Sequence, residues 1–270
     1  MLNYFENLRI ARPKTRMIQG EDMRIGSRLE HFSRAFIEIF SIDDLVDLLQ
    51  AATRELGYDC FSLAQHVDLS GPLENVVMLS TYDEDWLERF KARGYIHFDP
   101  VVTASHRYGG PFTWDMVPMM IPVTKRQHRM FREAKRFGLS DGLTIPLHMP
   151  GERLASCSFA SARRIHSSIE HMAAAHVVAN FAYQAARRLI PNPTPPPRSP
   201  LLTDRQIDCV KLSAEGKSEW EISRILSIAH TTVHSHLTDA RRRYGVFNRQ
   251  QLLFHVLRDG LISFSDIQAI

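Results

Sequence analysis

The sequence predicts an α+β protein. Its N-terminal part reads as an α/β/α sandwich around an antiparallel sheet, and its C-terminal part as an all-α domain built on a helix-turn-helix. Three observations predict this. Over residues 28–190, helix-spaced apolar residues give way to strand-like runs and then to helices again. A proline run, PNPTPPPRSP at 191–200, interrupts the chain. Beyond it come three short segments of helical periodicity with capping residues and tight connections between them.

The first segment, 28–40, places Leu29, Phe32, Ala35, Phe36 and Phe40 at helical spacing. Ser41 with Asp44 resembles a capping box and opens a second helix ending near Gly57. Residues 58–66 and 73–80 are rich in β-branched and aromatic side chains and read as strands. A short helix runs from Glu84 to Arg93 and stops at Gly94. Thr124 with Gln127 starts another, which stops at Gly138. Residues 142–149 and 153–161 form a hairpin turning at Pro150 and Gly151. Ser167 with Glu170 opens a long helix, with a face of Ile169, Ala173, His176, Val177, Asn180 and Ala185. Helices on both sides of an antiparallel sheet bury its two faces. The prolines exclude helix interior and central strand, so 191–200 reads as a semi-rigid spacer. The expected organisation is an extension at 1–25, a sandwich domain at 26–190, the linker, and the helical domain at 201–265.

In that last domain, Thr203 caps a helix with Ile207, Val210 and Leu212 inward, and Gly216 ends it. Ser218 caps a second helix with Ile222, Ile225 and Leu226 inward, and Ser227 to Ala229 make a tight connection. The third helix, His230 to Tyr244, turns Val233, Leu237 and Ala240 inward and exposes His230, Thr231, His234, Ser235, Thr238 and the run Arg241 to Arg243. Hydroxyls and imidazoles can meet base edges, and arginines suit phosphates. A basic run at a helix C-terminus also serves simply as a dipole-complementing, solvated end. His230 and His234 stand at i, i+4, but no Cys or carboxylate sits at ligand spacing, so no metal site is expected.

Composition narrows the function classes. At 270 residues, 44% hydrophobic and 23% charged, the chain suits about two ordinary globular domains. No apolar run nears the ~18 residues of a membrane span, and Met1 to Gly20 lacks the apolar core of a secretory signal. A cytoplasmic protein without membrane partners is expected. Cys60, Cys157 and Cys209 are odd in number, far apart and among apolar neighbours, and read as buried free thiols. A net charge of +3 is too small to argue for nucleic acid unaided.

The C-terminal motifs are specific. Leu202-Thr203-x-Arg205, Ala214-x-Gly216-Lys217-Ser218, Glu221-Ile222, Leu226-x-Ile228, Thr232-Val233, His236, Val246-x-Asn248-Arg249 and Gly260-Leu261-Ile262 closely resemble the LuxR-type helix-turn-helix. Gln206 stands where that family usually has Glu, and Ala229 where it usually has a capping Ser. The resemblance implies DNA contacts by Lys217, His230, Thr231, Thr232, His234, Ser235, Thr238, Arg242, Asn248 and Arg249. The N-terminal domain lacks the βα repeat of a phosphorylated receiver. Instead, Tyr82-x-x-x-Trp86-x-x-x-Phe90, Asp99-Pro100-Val101-Val102, Phe112-Thr113-Trp114 and Phe137 to Pro146 resemble the acyl-homoserine-lactone-binding domain of quorum-sensing regulators. That likeness implies a ligand site of Tyr82, Trp86, Phe90, Asp99, Trp114, Phe131, Gly142 and Ser158. Trp86 would donate to the lactone carbonyl, Asp99 would accept from the amide N–H, and Tyr82 and Ser158 would reach the acyl carbonyl. Trp114 would pack on the ring with Phe131 closing that wall, and Gly142 would permit a close backbone turn. Phe90 replaces a frequent Tyr. Met78 and Met130 are candidates for limiting the acyl tail.

The expected function is a dimeric quorum-sensing transcriptional regulator that binds an acyl-homoserine lactone and a pseudo-palindromic promoter site. It needs no cofactor, and RNA polymerase is a candidate further partner. The alternative is a LuxR-type regulator responding to a different ligand or to none. Dimerisation is expected through the long helix, where Ala173, Ala174 and Ala175 would allow close approach. A lactone-hydrolysing enzyme is the rival of another class. It lacks both a Gly-x-Ser-x-Gly elbow and a His-x-His-x-Asp-His metal set. A protein-interaction module would need no helix-turn-helix.

Overall fold

The computed structural model describes residues 9–10, 25–70, 75–149, 152–190 and 202–267. The linker 191–200, the turn at Pro150–Gly151 and most of the N-terminal extension lie outside these. The chain divides into two compact units that change over at Pro193–Thr194.

The first unit holds a six-stranded sheet. Its strands are β1 (Arg9–Ile10), β2 (Cys60–Gln65), β3 (Met78–Ser80), β4 (Phe112–Thr113), β5 (Asp141–Leu147) and β6 (Ala155–Ser161). Their order is β1-β3-β2-β6-β5-β4, and every pairing is antiparallel except β1 with β3. The antiparallel sheet is as expected. The two-residue strands β1 and β4 are additions, too short for a period-two pattern to reveal.

Register decides which residues face which layer. Phe61 pairs with Phe159 and Leu63 with Cys157, and Leu143 and Ile145 stand opposite those two on β5. This face is fully buried. Three helices cover it: α1 (Ile25–Glu38), α2 (Ile42–Glu55) and α7 (Ile169–Leu189). Each fully buried large apolar side chain there contributes about 1.5–3 kcal/mol relative to exposure. Polar ties pin the layers: Gln65 donates to the Tyr183 hydroxyl at 3.1 Å, and Arg188 donates to the carbonyls of Phe36 in α1 and Ile39 just after it. On the opposite face lie Cys60, Ser62 and Ala64, then Ser156, Ser158 and Ala160, then Gly142 and Thr144. That face is roofed by α3 (Glu84–Ala92), α4 (Pro100–Ser105), α5 (Val117–Met120) and α6 (Lys125–Ala134).

The long helix corrects two expectations. Its N-cap is Ser168, whose hydroxyl accepts from His171 N, whereas Ser167 turns back to bond the Tyr58 hydroxyl at 2.8 Å. Its inward face is Ala174, Ala175, Val178, Ala179, Ala182, Tyr183, Ala185 and Ala186. Ile169 is 82% exposed, Ala173 is exposed, and His176, Val177 and Asn180 are half-buried, so of the expected face only Ala185 is inward. An alanine-rich helix gives periodicity little contrast, and bulky Ile169 stands on its exposed side. Ala174 and Ala175 pack within their own unit and cannot serve as an approach surface for a second copy.

Among the described residues the second unit has four α-helices: α8 (Asp204–Ala214), α9 (Glu219–Leu226), α10 (His230–Tyr244) and α11 (Arg249–Arg258). Its core joins Val210, Ala240, Leu252, Val256 and Ile262 to Cys209, Ile222 and Val233. Thr203 and Ser218 make full capping boxes with Gln206 and Glu221. Gln206 therefore does its helix-start work through an amide oxygen bonded to Thr203 N at 3.0 Å. Ala229 gives α10 no side-chain cap, as its substitution implied. Ser227 adopts the left-handed conformation at φ +54°, making the turn between α9 and α10 tight. Ile225 is 53% exposed, contrary to expectation: it lies beyond the inward stripe set by Ile222 and Leu226. The fourth helix, α11, was not anticipated, although Asn248 caps it through Gln251 N and Leu252, Leu253 and Val256 give it an apolar stripe.

Candidate functional sites: a sensor cavity and an exposed helix face

Between the sheet and its roof lies a cavity of about 540 Å³, a size ordinary for small-molecule sites. Tyr82, Trp86, Phe90, Asp99, Trp114, Phe131 and Ser158 all line it. The elements explain their convergence. Trp86 and Phe90 are one turn apart on α3, which Asp83 caps. Asp99 caps α4, with Pro100 at the first helical position. Trp114 follows β4 directly, and Ser158 points inward from β6. Trp86, Phe90 and Tyr95 form an edge-to-tilted aromatic cluster with centroids 5.7–6.1 Å apart.

Gly142 does not line the cavity and does not turn the chain; it sits within β5, where its role is spatial. A Cβ there would stand 2.5 Å from the Trp114 ring and 2.8 Å from the Phe159 carbonyl oxygen. Glycine thus lets the indole lie close against the strand. The Trp114 N–H donates to Thr144 Oγ1 at 2.9 Å, and Thr144 shares a 2.8 Å hydrogen bond with Ser158. Thr144 was quoted in the sequence motif but not singled out; its place opposite Ser158 on the same sheet face was the available signal.

Two polar groups stand out in this apolar space. The Tyr82 hydroxyl is buried without a hydrogen-bond partner among the described residues. Burial, then Cys60, Cys157 and Asp99, raise its pKa well above the usual phenol range, while the Ser158 hydroxyl pulls the other way. Asp99 is 8% exposed, and burial pushes its carboxyl up to about 6. Amides of Val101 and Val102 offset part of that shift, both bonding to Oδ1 at 2.7 and 3.3 Å.

The cavity lining also includes a histidine that the sequence motifs do not flag. His66 Nε2 lies 2.9 Å from Ser156 Oγ, and His66 Nδ1 lies 2.7 Å from Nε2 of His106, which ends α4. Burial, with His106 and His148 nearby, lowers His66 to about 3, and burial with His148 nearby lowers His106 as well. This bond fastens one end of α4 to β2. Only the spatial pairing of residues 40 positions apart reveals it.

In the second unit, His230, Thr231, Thr232, His234, Ser235, Thr238 and Arg242 lie on the exposed side of α10, while Val233 and Ala240 are fully buried. Lys217 is half-buried before α9, and Arg249 is exposed at the start of α11. Asn248 is exposed too, but its side chain serves as the cap of α11. Arg242 pairs with Asp239 at 2.9 Å, and Arg241 donates to Thr238 Oγ1 at 3.0 Å. Such exposed contacts are worth little and yield readily. His234 Nδ1 lies 3.1 Å from Glu219 of α9. Trp220 of α9, 62% exposed beside Arg224, was not singled out from the sequence.

A small-molecule cavity in one α/β/α unit and a helix-turn-helix in the other define a ligand-responsive transcription factor. The comparisons with known proteins agree. Residues 41–186 match the family described as "Autoinducer binding domain", and residues 200–256 match "Bacterial regulatory proteins, luxR family". The chain is 28% identical to the quorum sensing-dependent transcriptional regulator RpaR of Rhodopseudomonas palustris over 91% of its length and 99% of that protein's. It is 27% identical to the transcriptional activator BjaR1 of Bradyrhizobium diazoefficiens, over 82% and 90% of the two chains. The crystal structure of Escherichia coli SdiA shares the fold, with a TM-score of 0.60 at 24% identity, covering 88% of this chain and 99% of that one. The chain belongs to the LuxR-type family of autoinducer-binding regulators. It is a quorum-sensing transcriptional regulator, not an enzyme, that binds a small molecule and DNA. Among the described residues, no helix is long and apolar enough to cross a membrane.

Proposed function

We propose that this regulator, working in the cytoplasm, binds an acyl-homoserine lactone in the sensor cavity and reads a pseudo-palindromic DNA site as a homodimer. One observation carries the ligand assignment: hydrogen-bonding capacity is left open by the Tyr82 hydroxyl and the buried Asp99 carboxylate in a largely apolar cavity. An acyl-homoserine lactone has matching parts. Its amide N–H suits the second oxygen of Asp99, its acyl carbonyl suits Tyr82 and Ser158, and its ring carbonyl suits the Trp86 N–H. Trp114, Phe131 and Phe90 supply apolar walls for the ring and chain. Leaving a buried polar group unmet costs about 1–3 kcal/mol, so the ligand that satisfies these groups binds selectively. Binding to the folded sensor alone then stabilises it by mass action.

The homodimer uses the outward face of α7, where Ile169 and Ala173 are exposed. Two copies of α10 enter successive major grooves, with Lys217, His230, Thr231, Thr232, His234, Ser235 and Thr238 toward DNA. Arg242 and Arg249 meet phosphates, and Asn248 fixes the start of α11 beside them. RNA polymerase is the partner through which bound protein alters transcription.

Mass spectrometry of small molecules released from the purified protein tests the ligand. An acyl-homoserine lactone confirms the reading. An acyl glycerol, as in the SdiA complex with octanoyl-rac-glycerol, or an empty protein with full DNA affinity, replaces it with the alternative of another ligand or none.

A further inference from the structure

We propose that Glu219 fixes which ring nitrogen of His234 carries the proton, and thereby makes His234 a reader of exocyclic amino groups, those of adenine or cytosine. The inference rests on the reading of α10 as the helix that enters the major groove, and it adds a base preference to that reading.

Glu219 is the first residue of α9, and its side chain reaches across to α10. Its two carboxylate oxygens lie 3.1 and 3.4 Å from His234 Nδ1. It also stands 3.8 Å from His230 Nε2, so the carboxylate sits between the two histidines of the first turns of α10. Its side chain is only 33% exposed, held between the two helices, whereas that of His234 is 61% exposed. A carboxylate offers acceptors and no donor. The hydrogen shared at 3.1 Å therefore belongs to His234 Nδ1. A neutral imidazole with its proton on Nδ1 carries a lone pair on Nε2, because the partner of one nitrogen sets the role of the other.

Both hydrogen bonds of this ring among the described residues fall on Nδ1, which leaves Nε2 for a partner outside the protein. In the major groove, adenine N6 and cytosine N4 are donors, while guanine N7 and O6 and thymine O4 are acceptors. An outward lone pair pairs with the amino groups and opposes guanine. A histidine in the other tautomer would do the reverse. The residue that chooses the base thus stands on the neighbouring helix and need not touch DNA.

Two readouts on the full chain test this. The first is nitrogen-15 spectroscopy of the histidine rings, assigned by comparison with His234→Ala. A protonated Nδ1 and bare Nε2 at His234 are expected, and a protonated Nε2 overturns the proposal. The second is site selection from random DNA, with and without N-octanoyl-homoserine lactone. The native chain is expected to enrich adenine or cytosine over guanine at one position per half-site, by roughly tenfold. Glu219→Lys places a donor against Nδ1, so the preference there should move to guanine. Glu219→Ala, which adds no charge, should flatten it. If both variants keep the native preference, the proposal falls while the DNA-reading role of His234 stands. If His234→Ala itself leaves the selected site unchanged, that role falls, and the proposal with it.

Discussion

The sensor and the helix-turn-helix keep their unspent polar capacity in opposite places. In the sensor it is inside: an unpartnered tyrosine hydroxyl and a buried carboxylate face an apolar cavity. In the helix-turn-helix it is outside, on the solvent side of α10, above a core of fully buried Val210, Val233, Ala240 and Val256. On the proposed function, the ligand completes the first unit, whereas the second is complete before DNA arrives. Ligand and acidity should therefore move the stability of the first, and salt should govern the binding of the second.

The largest expected effect tests the first half of that contrast. Asp99 is held at about 6, against an ordinary 3.8, so between these values the folded sensor keeps a proton that the unfolded chain releases. Stability of the ligand-free sensor should be greatest below about pH 4 on this account, and fall by roughly 3 kcal/mol as pH rises through 6. Asp99→Asn should remove this slope while retaining the cap on α4. It should also weaken acyl-homoserine lactone binding by roughly 10- to 100-fold, as loss of a charged hydrogen bond implies. Denaturation across pH and calorimetry check both, and an unchanged affinity removes Asp99 from the site.

Gly142→Ala comes next. Its Cβ meets an indole and a backbone carbonyl, and neither is a flexible chain end. A cost of about 1–3 kcal/mol to the sensor is expected, together with weakened ligand binding. Thermal melting should show the helix-turn-helix transition unmoved, and a shift in that transition would break the contrast. On the outer face, His234→Ala should cost about 1–3 kcal/mol at specific sites only. Arg242→Ala should weaken all sequences alike and lower the salt slope by about one unit. Titrations of specific and scrambled DNA over a salt series separate the two. The smallest effect is Thr203→Ala, about 1 kcal/mol from a lost cap, read in the melting of the helix-turn-helix with ligand affinity intact.

The two units also differed in how much of them the sequence revealed. Caps are local, so Thr203, Ser218, Ser41 and Thr124 announced their helices directly. Seven of the eight expected ligand residues line one cavity because the fold gathers α3, the cap of α4, the residue after β4, α6 and β6 around it. What escaped was non-local or weakly patterned. The His66–His106 bond joins residues with no sequence relation, and the sheet's outermost strands are two residues long. The alanines of α7 carry too little contrast to show which side faces inward. Glu219 looked like an ordinary first-turn acid until α10 was placed beside it.

Gly142 has one further consequence. The wall against which a ring would rest is an indole whose position is set by what is missing behind it. The thickness of that wall, and hence the room at the head of the cavity, is controlled from a position that no ligand can touch. A lineage that needed a smaller chamber could obtain it by adding a single methyl group to the strand, with every cavity-lining residue unchanged. Comparing only the residues that line two such cavities would then miss why they accept different signals.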